Sequence, residues 1–274
     1  MITRRPEALD DLAARGAEVR AGDFDEPATL PAAFAGAERA LIISTLSVGR
    51  RAEQHRAAIA AASDAGVRHL VYTSSGGIHP DNPAIVIPDH MRTEDALKES
   101  GLTYTILRDS LYAQSVATKM APRAIETGRW MTATGDGRLA PVSKEDCVAA
   151  AVRILTGDGH EDRTYELTGP ELISMRDAAR LTSELTGRPI EFVPIDDATL
   201  DSLLADAGIP DDYVEGMRTP SQGASSRRDI VTYERGIREG YFEVLSDDVR
   251  RILGREPTPL RDVFLQHAEV LGIR

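Results

Sequence analysis

The sequence holds one cysteine, Cys147, in 274 residues. That excludes an internal disulfide framework and a cysteine-based zinc site. It also fits a reducing compartment, so a cytoplasmic location is expected. Long apolar runs are missing as well. Nothing approaches the ~20 residues that a membrane span requires. Met1-Ile2-Thr3-Arg4-Arg5-Pro6 has no apolar stretch behind its charges, unlike a signal peptide. No membrane partner is expected. Basic residues are outnumbered, 32 Lys and Arg against 44 Asp and Glu, for a formal net charge of −12. Such an acidic chain is a poor general ligand for nucleic-acid backbones, so no nucleic-acid partner is expected, while one local basic pocket for a single phosphate stays open. The six histidines are scattered and none pairs with another at helical spacing, so no metal site is expected.

Several chemical motifs are also missing. There is no G-x-G-x-x-G turn, the loop that lets backbone approach a pyrophosphate at a helix N-terminus. Gly135-Asp136-Gly137 and Gly157-Asp158-Gly159 have two glycines each, lack the third, and read as turns. No P-loop, H-E-x-x-H or G-x-S-x-G string occurs. No tyrosine is followed four residues later by lysine, the pair in which lysine lowers a phenol's pKa so that it can protonate a carbonyl.

What is present is an ordinary globular composition, 42% hydrophobic and 28% charged. The length fits one large domain or two small ones. The first two thirds alternate helix-like segments (6–15, 27–34, 50–65, 90–100) with strand-like ones (17–21, 40–44, 69–73, 103–107). Short unbroken apolar runs such as Ala40-Leu-Ile-Ile-Ser44 suit strands buried on both faces of a parallel sheet. The fold class is therefore α/β, a parallel sheet built from βαβ units with helices on both faces. The last third reads as a smaller, mostly helical part, with a strand at 190–195, helices at 196–207, 211–218, 247–253 and 260–271, and a loop at 221–226.

Ligands of such sheets sit at the carboxyl ends of the strands. Those ends are Asp23-Phe24, Ser44-Thr45-Leu46, Thr73-Ser74-Ser75 and Arg108-Asp109-Ser110. Any one of them would be polar simply as solvated loop. Four in register point to a shared cleft.

A set of strings carries a family resemblance: Ile43-Ser-Thr-Leu-Ser-Val-Gly-Arg-Arg51, Gln54-His55, Ala65-Gly-Val-Arg-His-Leu-Val-Tyr-Thr-Ser-Ser75, Asp89-His-Met-Arg-Thr-Glu94, Tyr104-Thr-Ile-Leu-Arg108, Gly135-Asp-Gly137 and Tyr165-Glu-Leu-Thr-Gly169. Together they resemble the NmrA-like, atypical short-chain dehydrogenase/reductases, closest to their NADPH-dependent quinone oxidoreductases. The resemblance implies a Rossmann-like doubly wound sheet at 1–150, a smaller substrate or cap region at 151–274 partly interleaved with it, and an NADP(H) cofactor. Family members begin with a strand and a glycine-rich loop, and their second strand ends in an arginine that meets the adenosine 2′-phosphate. Thr3-Arg4-Arg5-Pro6 resembles that second strand end. The expectation is that the first βα unit is absent.

On this resemblance Arg4 and Arg5 would hold the 2′-phosphate, and Asp23 and Phe24 would flank the adenine. Ser44, Thr45 and Leu46 would line the ribose and pyrophosphate, and Thr73 and Ser74 the nicotinamide. Ser75 would donate to a substrate carbonyl. His90 falls about where the reductase tyrosine would sit and would orient the ribose or protonate a product oxygen. Asp109 stands where relatives carry asparagine and would disfavour anionic substrates, and Tyr112 would stack on a flat ring. Plainer readings stand beside these: solvated arginines, a helix cap at Asp23, and a surface His90–Glu94 pair. The expected reaction is hydride transfer to a quinone or similar conjugated carbonyl, a small-molecule partner, with a homodimer left open. The rivals are a non-catalytic NADP-sensing protein and a truncated chain with impaired cofactor binding.

Overall fold

The structure, a computed structural model, describes residues 1–214 and 226–273. The chain opens with strand β1 (Ile2–Thr3), a 3-10 turn at Pro6–Leu9, helix α1 (Asp10–Ala14) and strand β2 (Arg20–Ala21). A second 3-10 turn at Pro27–Thr29 leads into α2 (Leu30–Phe34), followed by β3 (Arg39–Ile42) and α3 (Arg51–Asp64). Next come β4 (His69–Ser75), α4 (Ile87–Glu99) and β5 (Thr103–Asp109). Helix α4 starts three residues before the expected His90, with Pro88 in its first turn, where a missing N–H costs nothing.

Beyond β5 the chain forms α5 (Ala113–Ser115), a π-type turn at Val116–Met120, α6 (Ala121–Thr127), β6 (Arg129–Thr132), β7 (Arg138–Leu139), α7 (Lys144–Thr156), β8 (Arg163–Leu167) and β9 (Ile173–Ser174). It ends with α8 (Met175–Thr186), β10 (Glu191–Pro194), α9 (Asp197–Asp206), α10 (Arg227–Arg238), α11 (Asp248–Leu253), α12 (Leu260–Gln266) and α13 (Ala268–Leu271). Serines start three helices by accepting from backbone N–H groups, Ser226 doing so on α10. Ser143 caps α7, and Ser174 forms a reciprocal box with Asp177 on α8. Of the helix expected at 211–218, residues 211–214 are non-helical, and 215–218 lie outside the described residues, as do 221–225 of the expected loop.

The main sheet is four parallel strands in the order β3-β4-β5-β8, the Rossmann-like arrangement expected. β8 completes it from beyond residue 150. Strands β1 and β2 pair with each other. Among the described residues no ladder joins them to β3. They are held instead by packing, because Ile2 sits against the apolar cluster of Leu30, Phe34, Ala58 and Ile59. β10 pairs with β6 and β7 with β9, and these strands carry the second layer.

Alternation along β4 and β5 divides the side chains. Tyr72 and Ile106 pack toward α3 and α4, while Val71 and Leu107 pack toward α7 and α11. Cys147 on α7 is 8% exposed, facing that second cluster as a structural cysteine would. Helix α10 is docked closely. A Cβ on Gly137 would lie 2.2 Å from the Ile237 carbonyl oxygen, so only glycine permits that approach.

Candidate active site at the strand ends

On the α4 side of the strand ends, a charged network is closed and complete. The Ser74 hydroxyl donates to Glu94 Oε1 at 2.8 Å. Arg108 Nε and Nη2 donate to the two Glu94 oxygens at 2.9 and 2.7 Å, and Nη1 donates to Glu166 Oε1 at 3.0 Å. Burial works to raise the Glu94 carboxyl, but the Arg108 hydrogen bonds and charge outweigh it and hold the group below its usual range. This corrects the placement of Ser74, whose hydroxyl is spent beneath the sheet on Glu94 and is not offered to a nicotinamide. Glu94 likewise bonds Ser74 and Arg108, not His90.

A second buried network joins α3 to α4. Arg51 Nε donates to the Thr45 carbonyl at 2.6 Å, and its Nη1 lies 2.9 Å from His90 Nε2. A guanidinium can only donate, so His90 Nε2 accepts and the proton sits on Nδ1, which donates to Tyr72 Oη at 2.8 Å. The Thr45 amide donates to His55 Nε2 at 3.1 Å, leaving His55 Nδ1–H for Thr93 Oγ1 at 3.1 Å. Thr93 passes the chain on to the Asp89 carbonyl at 2.8 Å. Burial, then the neighbouring Arg51 charge, keeps both imidazoles neutral: His55 is pushed down to about 3 and His90 well below its ordinary value. The proton-donor role expected of His90 is therefore corrected. It is 5% exposed, neutral, and engaged at both nitrogens.

The remaining expected residues are partly stitched to one another. The Ser44 amide donates to Thr73 Oγ1 at 2.9 Å, and the Thr45 hydroxyl to Gln54 Oε1 at 2.6 Å. Ser75 is half-buried and donates to the Gly76 carbonyl at 3.0 Å. Asp23 Oδ1 accepts from the Asp25 amide at 2.9 Å, and Phe24 meets His55 edge-on at 6.3 Å between centroids. Arg4 and Arg5 are exposed just past β1. At the end of β3, Ile43 is 68% and Leu46 57% exposed, two apolar side chains left open.

The α7 side of the strand ends differs in kind. Asp109 is 8% exposed, its Oδ2 accepts from the Tyr112 hydroxyl at 2.8 Å, and its Oδ1 meets no N–H or O–H donor. No cation pairs with it among the described residues. Burial pushes its carboxyl up to about 7, against the pull of Tyr112 and Cys147. The Ala113 amide donates to the Val142 carbonyl at 2.8 Å and the Val142 amide to that of Leu111 at 2.9 Å. This short ladder brings the start of α7 beside Tyr112, with Lys144 Nζ 5.3 Å from its ring centroid. Burial and the Asp109 charge push the Tyr112 phenol up, and burial pushes the Cys147 thiol up.

From the far side, α10 presents Tyr233, whose ring lies 4.3 Å from that of Phe242. A cleft of about 450 Å³ opens between the start of α3, the start of α4 and residues flanking α10, lined by Val48, Arg50, Pro88, Tyr213 and Arg228. Sequence reasoning missed Arg51, Tyr72 and Lys144. The first two look like ordinary helix and strand residues, and Lys144 is brought to Tyr112 only by the fold.

These strand ends lie together at one end of a parallel sheet, and the chain is similar along most of its length to known proteins. Residues 1–157 match the NAD(P)H-binding family. Quinone oxidoreductase 2 of Escherichia coli (strain K12) is 36% identical over 225 residues, 82% of this chain and 78% of that protein. The NAD(P)H azoreductase of Xenophilus azovorans is 32% identical over 272 residues, 99% of this chain and 90% of that protein. The crystal structure of the E. coli NADPH-dependent quinone oxidoreductase complexed with NADPH superposes with a TM-score of 0.87 at 30% identity, covering 97% of this chain and 89% of that one. The chain belongs to the NAD(P)H-binding family and, within it, is an NmrA-like relative of the atypical short-chain reductases.

The residues present fit a dinucleotide at its two ends. Two exposed arginines past β1 suit a phosphate, and the hydroxyls and apolar walls at the ends of β3 and β4 suit a ribose and a flat ring. For the pyrophosphate between them the sequence offers no glycine-rich turn.

Proposed function

We propose that this chain is an NAD(P)H-dependent oxidoreductase that delivers a hydride to a quinone or a similar conjugated carbonyl. The observation that carries the reading is the convergence of the polar ends of β3, β4 and β5 on one site, in a chain whose relatives include a quinone oxidoreductase and an azoreductase. Arg4 and Arg5 would hold the phosphate of the adenosine, with Asp23 and Phe24 toward the adenine and Ser44, Thr45 and Leu46 along the ribose. Thr73 and Ser75 would line the nicotinamide end, and Asp109 and Tyr112 the substrate. When bound, the nicotinamide supplies the hydride, and the protein positions it.

The buried Arg51–His90–Tyr72 and His55–Thr93 chains set the shape of this floor. They hold the Thr45 carbonyl and amide in place, so the β3 end cannot shift without breaking buried hydrogen bonds. Among the described residues no helix is long and apolar enough to cross a membrane; the proposed enzyme acts on a small molecule, and a cytoplasmic location is part of the proposal.

The test is oxidation of NADPH and of NADH, followed by absorbance, with a panel of quinones. Quinone-dependent oxidation, weakened mainly in KM for NADPH by Arg4→Ala with Arg5→Ala, is expected. Tight nucleotide binding without turnover on any acceptor would instead support the sensing role and sink the enzyme reading.

A further inference from the structure

The sequence has no Tyr-x-x-x-Lys pair, yet the fold brings a tyrosine and a lysine together beside a lone carboxyl. Tyr112 lies under Lys144 at 5.3 Å and donates to Asp109 at 2.8 Å. Tyr112 is only half-buried, whereas Asp109 is closed off, its Oδ1 meeting no N–H or O–H donor and only the weakly donating Cys147 thiol that faces it. The pair joins a partly exposed residue to a buried one, at the carboxyl end of the strand that registers Asp109 against Ser75. The groups around it are few. Tyr112 precedes α5, Cys147 faces Asp109 from α7, Asp146 lies beside Cys147, and Tyr233 of α10 stands within electrostatic reach of Tyr112.

We propose that Tyr112 is the proton donor to the reduced substrate and that Asp109 is its proton reservoir, the protonation of Asp109 deciding which way the Tyr112 hydrogen bond points. This rests on the oxidoreductase reading above and adds a catalytic residue and a positioning residue to it. When Asp109 is a carboxylate it can only accept, so the Tyr112 proton is committed inward and only a lone pair faces outward. When Asp109 carries a proton it donates to Tyr112 Oη, and the phenol proton is released toward a substrate oxygen. The step balances. The carbonyl substrate gains a hydride from the reduced nicotinamide, leaving the nicotinamide oxidised. The resulting negative oxygen takes the Tyr112 proton, the Asp109 proton moves to the Tyr112 oxygen, and Asp109 regains a proton from water. Lys144 above the ring favours the transient negative charge on the phenol oxygen.

Burial holds the Asp109 carboxyl at about 7, so both states are populated near neutral pH. The experiment is the pH profile of kcat from pH 5 to 9 with a quinone and saturating NADPH, on wild type, Asp109→Asn, Tyr112→Phe and the double variant. Wild-type kcat should fall as pH rises through about 7. Asparagine donates to Tyr112 at every pH but holds no transferable proton, so Asp109→Asn should lose that fall and turn over more slowly than wild type at pH 6. Tyr112→Phe should lower kcat by about tenfold or more at pH 6 with little change in KM. Since Tyr112→Phe leaves the Asp109 carboxyl without a partner, the double variant, which removes that carboxyl, should show the same loss in a well-folded protein. An identical fall with pH in Asp109→Asn, or undiminished turnover in both Tyr112→Phe and the double variant, overturns the proposal.

Infrared titration reads the pair without turnover. A protonated-carboxyl band lost near pH 7, absent in Asp109→Asn and shifted in Tyr112→Phe, is expected. A wild type that turns over no acceptor defeats the oxidoreductase reading and the donor role with it, while the titration still decides the reservoir: no such band overturns it.

Discussion

Arg108 and Asp109 are neighbours on β5, yet their two sides of the sheet follow opposite rules. On one side Glu94 is buried with a bidentate arginine and a serine donor, and its carboxyl is held below the usual range. On the other Asp109 is buried with one phenol donor and no cation, and its carboxyl rises to about 7. Burial is common to both. What differs is whether the charge is met. A met charge makes a rigid strut, and an unmet one makes a group that changes state where a cell's pH lies.

The comparison breaks most severely at Arg108. Arg108→Met takes the bidentate partner from buried Glu94, leaving Lys98 at 3.5 Å, and should cost about 3 kcal/mol in a denaturant titration at pH 7. A loss below about 1 kcal/mol would show that the Arg108 charge is not what steadies Glu94 and would erase the contrast between the two sides. Next comes Asp109→Asn. The folded protein holds the Asp109 proton up to about 7, whereas an unfolded chain releases it near 3.8, so the wild type loses stability as pH rises across that window. Asp109→Asn should be about as stable as wild type at pH 4 and about 2–4 kcal/mol more stable at pH 8. The Glu94 side slopes the other way, its contribution present above the ordinary glutamate range and lost as pH falls through its lowered value. Ser74→Ala removes one donor of several and should cost about 1 kcal/mol. Arg68→Ala, at an exposed pair with Glu38, should change thermal stability by less than about 0.5 kcal/mol and serves as the baseline.

Much of the fold is legible from the apolar runs alone. β3, β4 and β5 lie within a few residues of where unbroken Val, Ile and Leu stretches place them, and glycines close α3 and α8. The short strands β6, β7 and β9 leave no such trace, because two to four residues of ladder need no apolar run. The site is less legible. Which of Thr73, Ser74 and Ser75 faces a ligand depends on a period of two, and that phase is fixed by packing on α4 and not by residue type. His90 has the chemistry of a catalytic residue but the burial of a core one, and burial is set by Arg51 and Tyr72, which come from other elements. Asp109 was visible as a departure from its relatives. Its lone oxygen and the lysine near its phenol partner appear only when residues 109, 112 and 144 are folded together.

The unjoined pair β1–β2 has a kinetic consequence. Amide exchange should be slowest at the centre of β4 and β5, where each strand has two neighbours, and fastest at Ile2, Thr3, Arg20 and Ala21, whose ladder opens without disturbing the main sheet. Arg4 and Arg5 ride on that least protected ladder. A phosphate that engages them, as proposed, would slow exchange there first, and local opening and nucleotide grip would then share one equilibrium.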